Sequence, residues 1–434
     1  MAELLDLSAR VIEERDLETR VNRITNELSE IADGLAVVES FSHSWVIDTG
    51  EGLVVLDTSS SATGAAVIAA LRAWRTDPVR TIVYTHGHID HVGGSGSFLA
   101  DGRRRGHADP AVVGHAAVHE RLDRYELTNG WNLAINARQF GPRALVGGVE
   151  GDGGRRFLAP DVARCTVTYT DRLTHTVGDT TLELRHGRGE TDDHTWAWDP
   201  DRQAVFAGDF FIWNFPNAGN PQKVQRYPAE WAHALREMAA LEPELLLPAH
   251  GLPVGGRDRV RTVLTTVAGA LEALVAEVLA MMNAGATLDE IVHTVRVDGE
   301  LLALPYLTPR YDEPEFVVHN VWRQYGGWWD GNPARLKPPP DAAVAAEVAA
   351  LAGGAVDLAT RATEVADAGD LRLACQLVEW AAQAAPDDTA VGEIRAAVYD
   401  RRRADETSLM ARRVFREAAR QPTTPTPTPT PTVL

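Results

Sequence analysis

The sequence predicts an α/β domain followed by an all-α domain. Two blocks of short β-branched runs, one from Leu35 and one from about Cys165, are bounded by turn residues and interleaved with helix-like segments. The run TIVYTH, residues 81–86, reads as a continuous apolar strand that delivers His86 to a glycine-containing turn. From residue 341 to about 420 the chain is Ala-rich and helical, with breaks at AGG, DAGD and APDD.

In chain order, MAELLDLSARVIEERDLETRV reads as a charged amphipathic helix without an apolar signal core, so residues 1–34 are an N-terminal helical extension. AVVES, SWVIDT and GLVVLDT are strands, the last two separated by the turn residues TGEG at 49–52. A helix over about 62–74 precedes TIVYTH. The second block contains CTVTYTD, TLELRHG, TWAWD and QAVFAGD, and the strand-like PELLLPAHG follows at 243–251. The α/β domain is thus expected over 35–256. Residues 258–284 form a long helix that opens a helical region over 257–420, read as stacked antiparallel helix pairs. Its DAGDLRLACQLVEWAAQAAPDD segment is like one unit of a tetratricopeptide array. Residues 421–434, which contain TTPTPTPTPT, are expected to be a disordered Pro/Thr tail.

Composition narrows the function. The chain has 434 residues, room for two or three domains, and its 44% hydrophobic and 24% charged residues are those of an ordinary globular protein. A formal net charge of −19 argues against nucleic acid and against an anionic membrane as partners. It leaves room for a small anionic substrate, because a metal site supplies local positive charge. The most apolar stretch, VLTTVAGALEALVAEVLAMM, carries Glu272 and Glu277 and reads as a helix of a soluble domain. Two distant cysteines, Cys165 and Cys375, make no disulfide framework, and the expected location is cytoplasmic.

THGHIDHVGG, residues 85–94, crowds His86, His88, Asp90 and His91 into one turn. His86 and His88, two apart, leave on one side, and Asp90 and His91 serve a neighbouring position. Imidazole and carboxylate suit zinc and other first-row divalent ions. Further donors follow apolar strands: Asp209 in AGD, His250 in PAHG, and Glu190 in GETDDH, which on pattern alone is either a ligand or a surface acid. His115 and His119 sit four apart and read as a helix face. His194, four past Glu190, reads as a supporting or substrate-side histidine, and His186 as a hydrogen-bonding residue near the site. The aromatic FFIWNFPN, residues 210–217, reads as pocket lining, with Trp213 as its substrate contact, over the alternative of core beneath the site. Arg138 reads as a surface residue and the Trp cluster at 322–329 as interface.

THGHIDH, with LDT upstream and AGD and PAHG downstream, resembles the metallo-β-lactamase superfamily over about residues 30–256. GETDDHTW, with Glu190 where most members carry His, and the helical region with HNVWRQYGGWWDGNPARL resemble the alkylsulfatase branch and its dimerisation domain. The resemblance implies an αββα sandwich, followed by the helical domain, and a homodimer. It implies two zinc ions, with other divalent metals possible: one on His86, His88 and Glu190, the other on Asp90, His91 and His250, with Asp209 bridging. Asp57 would orient the metal loop without binding metal. The implied reaction is hydrolysis of a sulfate ester by a hydroxide shared between the ions, with Asp90 handling its proton. Where alkylsulfatases carry Thr-Pro-Arg-Gly this chain reads Asn220, Pro221, Gln222, Lys223, so Gln222, Lys223 and Arg226 are the candidate contacts to the anion. The alternatives are a hydrolase of another ester (lactone, carboxylic ester or phosphoester) and, in a different class, a non-catalytic interaction protein using the helical domain.

Overall fold

The computed structural model describes residues 3–141, 149–151 and 154–420; the Pro/Thr tail expected at 421–434 lies outside them. The first sheet has seven strands, in the order Leu28–Ala32, Leu35–Val38, Ser44–Asp48, Leu53–Leu56, Val79–Val83, Ala111–His115 and Val167–Tyr169. Its first four strands pair antiparallel and the rest parallel. The second sheet runs Arg172–Val177, Thr180–His186, Thr195–Asp199, Ala204–Gly208, Leu245–Pro248 and Val254–Gly255, with a single parallel pair, 204–208 beside 245–248.

Strand alternation explains the layering. In Leu53–Leu56, Val54 and Leu56 join the core that the two sheets share, while Leu53 and Val55 face a second core outside. All four are buried, because both faces of the sheet are covered. Trp45 and Phe206 meet edge to face across the sandwich, and the Trp45 indole N–H donates to the Pro248 carbonyl at 2.9 Å. Helices Gly64–Trp74, Ser95–Arg104 and Ala117–Leu127 cover the first sheet through Val67, Leu71, Phe98, Val118 and Leu122. Helices Pro228–Ala240 and Arg257–Asn283 cover the second through Trp231, Leu235, Val260 and Leu264. The architecture is the αββα sandwich.

The sandwich begins earlier than residue 35. Leu28–Ala32 is an edge strand in the region read as a helical extension, where the helix is confined to Glu3–Glu13. The Asp33-Gly34 pair, with Gly34 at φ +66°, turns it back onto Leu35–Val38. The last strand ends at Gly255 but the compact unit does not: the described residues up to Trp328 form one unit and those from Trp329 onward another. Arg257–Asn283 is long and apolar enough to cross a membrane by length and composition, and half of that stretch is buried against the sandwich.

In the second unit, helices Asp341–Leu351, Ala355–Asp367, Leu371–Ala384, Thr389–Asp405 and Leu409–Arg420 follow one another. Ala359, Ala362, Ala374 and Ala381, all fully buried, let them approach closely. The predicted breaks are helix starts: Asp370 and Asp388 accept the free N–H groups of Leu373, Ala390 and Val391.

Leu184 is fully buried between the sheets and Leu127 is 85% exposed. Leu184→Ala is expected to cost about 2–5 kcal/mol of unfolding free energy and Leu127→Ala less than about 0.5 kcal/mol. Urea unfolding of the metal-stripped protein checks this, and equal costs would contradict the layering.

Candidate metal centre

Parallel pairing brings the C-terminal ends of Leu53–Leu56 and Val79–Val83 to one edge of their sheet, and those of 204–208 and 245–248 to one edge of theirs. The residues that follow these strands are Asp57, His86, Asp209 and His250. Two donor groups assemble there: His86, His88, Glu190 and Asp209, and beside them Asp90, His91 and His250. In the first, His88 Nδ1 lies 2.8 Å from His86 Nε2 and 3.7 Å from Glu190 Oε1. In the second, His250 Nε2 lies 3.5 Å from Asp90 Oδ2, and His91 Nε2 lies 3.7 Å from the same oxygen. Asp209 divides its oxygens between the groups. Oδ2 is 4.0 Å from His86 Nε2, and Oδ1 is 3.5 Å from His91 and 3.6 Å from His250.

The surrounding residues fix this arrangement. Asp57 accepts the Thr85 N–H at 2.8 Å, the Thr85 hydroxyl at 2.7 Å and the His91 Nδ1–H at 2.7 Å. His91 therefore presents Nε2 to the centre, the tautomer that metal ligation needs. His194 stacks on His86 at 4.6 Å, and its Nε2 accepts the Asp209 N–H at 3.1 Å. Burial pushes the His194 imidazole down to about 3, keeping it a neutral acceptor. Asn217 donates to Glu190 Oε1 at 2.5 Å, and Arg226 pairs with the same oxygen.

Charge in the centre is unresolved by protein groups alone. Burial, then His91 and then His88, hold His86 well below the usual imidazole range. Burial opposes charge on His91 too, but Asp209 and Asp57 raise it well above that range. Burial pushes Glu190 up to about 8 against the pull of Arg226. Three buried donor atoms here, His91 Nε2, Glu190 Oε2 and Asp209 Oδ1, have no hydrogen-bond partner. Orphaned imidazole nitrogens and carboxylate oxygens converging on one spot are what a first-row divalent cation satisfies. The donor set fits such an ion.

A cleft of about 110 Å³ opens beside His88 and Glu190. Arg121, Arg124, Lys223 and Arg226 line it, with Tyr125, Trp131, Ile135 and Val224 as its apolar walls. Gln222 also lines it, but its side-chain oxygen accepts from Arg138 Nη1 at 2.9 Å. Arg226, read as an anion contact, is buried, and its Nη1 is held by Glu190 at 2.5 Å and the Asn217 carbonyl at 2.7 Å.

Three expectations are corrected. Trp213 does not touch substrate space. It is fully buried at φ +54°, its indole N–H donates to the Leu252 carbonyl, and it packs on Gly251 beside His250. Phe210, Phe211 and Phe215 are likewise core, because the segment dives under the site rather than over it. His115 ends a strand rather than sharing a helix face with His119, and stacks on His186 at 3.8 Å. His186 Nδ1 in turn lies 3.0 Å from the His194 carbonyl. Arg121, Asp193, Thr85, Asn217 and Trp131 were not singled out in the sequence. Thr85 alone had a signal, its place beside His86.

A family model described as the metallo-beta-lactamase superfamily matches residues 37–250, and one described as alkyl sulfatase dimerisation matches residues 287–424. A linear primary-alkylsulfatase from Pseudomonas sp. is 27% identical over 372 residues, covering 82% of this chain and 69% of the relative. An (R)-specific secondary-alkylsulfatase from Pseudomonas sp. is 27% identical over 351 residues, covering 76% and 52%. The solved structure of a stereoselective inverting sec-alkylsulfatase from Pseudomonas sp. matches with a TM-score of 0.79 and 25% identity, over 92% of this chain and 66% of that one. The chain thus spans between 52% and 69% of the length of these relatives.

Asp57→Asn disturbs the His91 tautomer without emptying the site. It is expected to weaken zinc binding about 10–100-fold, as read by competition with a chromogenic chelator. Unchanged affinity would contradict the assigned hydrogen bonding.

Proposed function

We propose that this chain, whose residues 37–250 and 287–424 match the models of the metallo-beta-lactamase superfamily and of alkyl sulfatase dimerisation, is a homodimeric, dinuclear zinc hydrolase of sulfate esters. The observation that carries this reading is a cationic cleft opening directly onto the donor cluster in a chain of net charge −19. His86, His88 and Glu190 would hold one ion, Asp90, His91 and His250 the other, and Asp209 both. When bound, the ions supply Lewis acidity and an acidified water for hydrolysis.

The chain's own residues do the rest. Lys223 faces the cleft, its ammonium reaching Asn136 Oδ1 at 3.4 Å. Burial and Arg226 bring it down to about 7, and an arriving anion favours its charged form. Arg124 adds charge to the lining of the cleft, and Trp131, Ile135 and Val224 flank the ester's organic group. Asp90, whose side chain is 18% open, accepts the proton released at the centre. Gln222, uncharged and tied to Arg138, favours one second reading, hydrolysis of a lactone, carboxylic ester or phosphoester.

Stripping metal with a chelator is expected to abolish hydrolysis of an alkyl sulfate, and zinc to restore it. Hydrolysis that survives stripping would sink the reading. In a panel that also contains lactones and phosphoesters, Lys223→Met is expected to raise KM for the sulfate ester at least about tenfold, with kcat less affected. Preference for an uncharged lactone, with KM insensitive to Lys223→Met, would favour the second reading.

A further inference from the structure

We propose that Arg121 is a positioning residue for the metal group formed by His86, His88 and Glu190, acting through Asp193. The proposal rests on the reading that this group holds an ion. Arg121 projects from the helix Ala117–Leu127, which is anchored by the fully buried Val118 and Leu122. It is itself 3% exposed, and Asp193 is fully buried. Arg121 Nε lies 2.9 Å from Asp193 Oδ1, and its Nη2 reaches Asp192.

Asp193 uses its other oxygen, Oδ2, to accept the Gly87 N–H at 2.9 Å. Gly87 is the residue between His86 and His88, so this bond sets the path of the backbone that aims both imidazoles. A Cβ at Gly87 would fall 2.8 Å from Arg121 Cδ and 2.9 Å from Asp193 Oδ2. The glycine is therefore required by the approach of the pair, not by its own backbone angles. Asp193 also stands three residues after Glu190 and immediately before His194, whose ring holds the Asp209 backbone. One buried ion pair thus ties the His86–His88 turn to the segment bearing Glu190.

Asp90, His91 and His250 are reached differently. His91 is held by Asp57, and His250 Nε2 lies 3.5 Å from Asp90 and 3.6 Å from Asp209. An isolated buried ion pair is a poor source of stability, and its best use is fixing one geometry. Removing Arg121 should therefore loosen one metal group and spare the other.

The test is zinc titration against a chromogenic chelator, with no turnover involved, on Arg121→Met alone and combined with His88→Ala or His250→Ala. In the wild-type background, Arg121→Met is expected to weaken one of the two zinc-binding steps about tenfold or more. The same drop is expected in the His250→Ala background and none in the His88→Ala background. Arg121→Lys keeps the charge but lacks the fork, and is expected not to rescue the step. Should Arg121→Met fail to fold, Asp193→Asn breaks the same ion pair while leaving an amide oxygen for Gly87, with the same selective drop expected. Normal zinc binding by both variants, or an equal drop in both backgrounds, overturns the proposal. A wild-type protein that binds no zinc would instead strike at the metal reading beneath it.

Discussion

Imidazole nitrogens and carboxylate oxygens face one another across gaps of 3.5 to 4.0 Å around Asp209, and the buried His91 Nε2, Glu190 Oε2 and Asp209 Oδ1 have no hydrogen-bond partner. Groups left this way cost free energy in a low-dielectric interior unless something satisfies them. The rest of the two-sheet unit can be understood as the scaffold that sustains this arrangement. Two sheets with both faces of the first covered give a core with little freedom to rearrange. Parallel strand pairs then deliver ligand-bearing loops to a common edge.

Around the donors lies a layer that chooses their orientation. Asp57 selects the His91 tautomer, His194 holds the Asp209 backbone, and Arg121 with Asp193 holds Gly87. Each of these supports reaches a ligand through a backbone N–H or the ring nitrogen facing away from the centre. Charge is arranged on the same plan. Arg226 answers the buried Glu190 carboxylate and Arg121 answers Asp193 and Asp192, leaving Lys223 and Arg124 to give the neighbouring cleft its positive character. A strongly acidic chain thus keeps a cationic pocket beside the donor cluster.

Much of this was legible in the sequence because the donors follow strands with strong apolar patterns. TIVYTH, QAVFAGD and ELLLPAHG each announce a strand and place a ligand at its end. The second group of residues was not legible, for physical reasons. FFIWNFPN has the composition of either a pocket wall or a buried segment, and only the tertiary path, under the site with Trp213 against Gly251, decides between them. Arg121 lies on an ordinary helix between Glu120 and Leu122, and its partner Asp193 is 72 positions away in a run of acids, 193 − 121. No periodicity marks such a pair. The edge strand Leu28–Ala32 was hidden by its polar Ser29 and Glu30, although the Asp33-Gly34 turn was a usable signal. In the helical unit, the breaks at DAGD and APDD were legible because turn-forming residues act locally, and their aspartates Asp370 and Asp388 cap the helices that follow.

The central claim is that these side chains form one dinuclear site with Asp209 between its halves. Anomalous diffraction at the zinc edge, from crystals grown with zinc, tests it most directly. The account predicts two peaks about 3.5 to 4 Å apart, one beside His86, His88 and Glu190, the other beside Asp90, His91 and His250, each within bonding distance of one Asp209 oxygen. A single peak that Asp209 does not touch, or no peak at this edge of the sandwich, would contradict it.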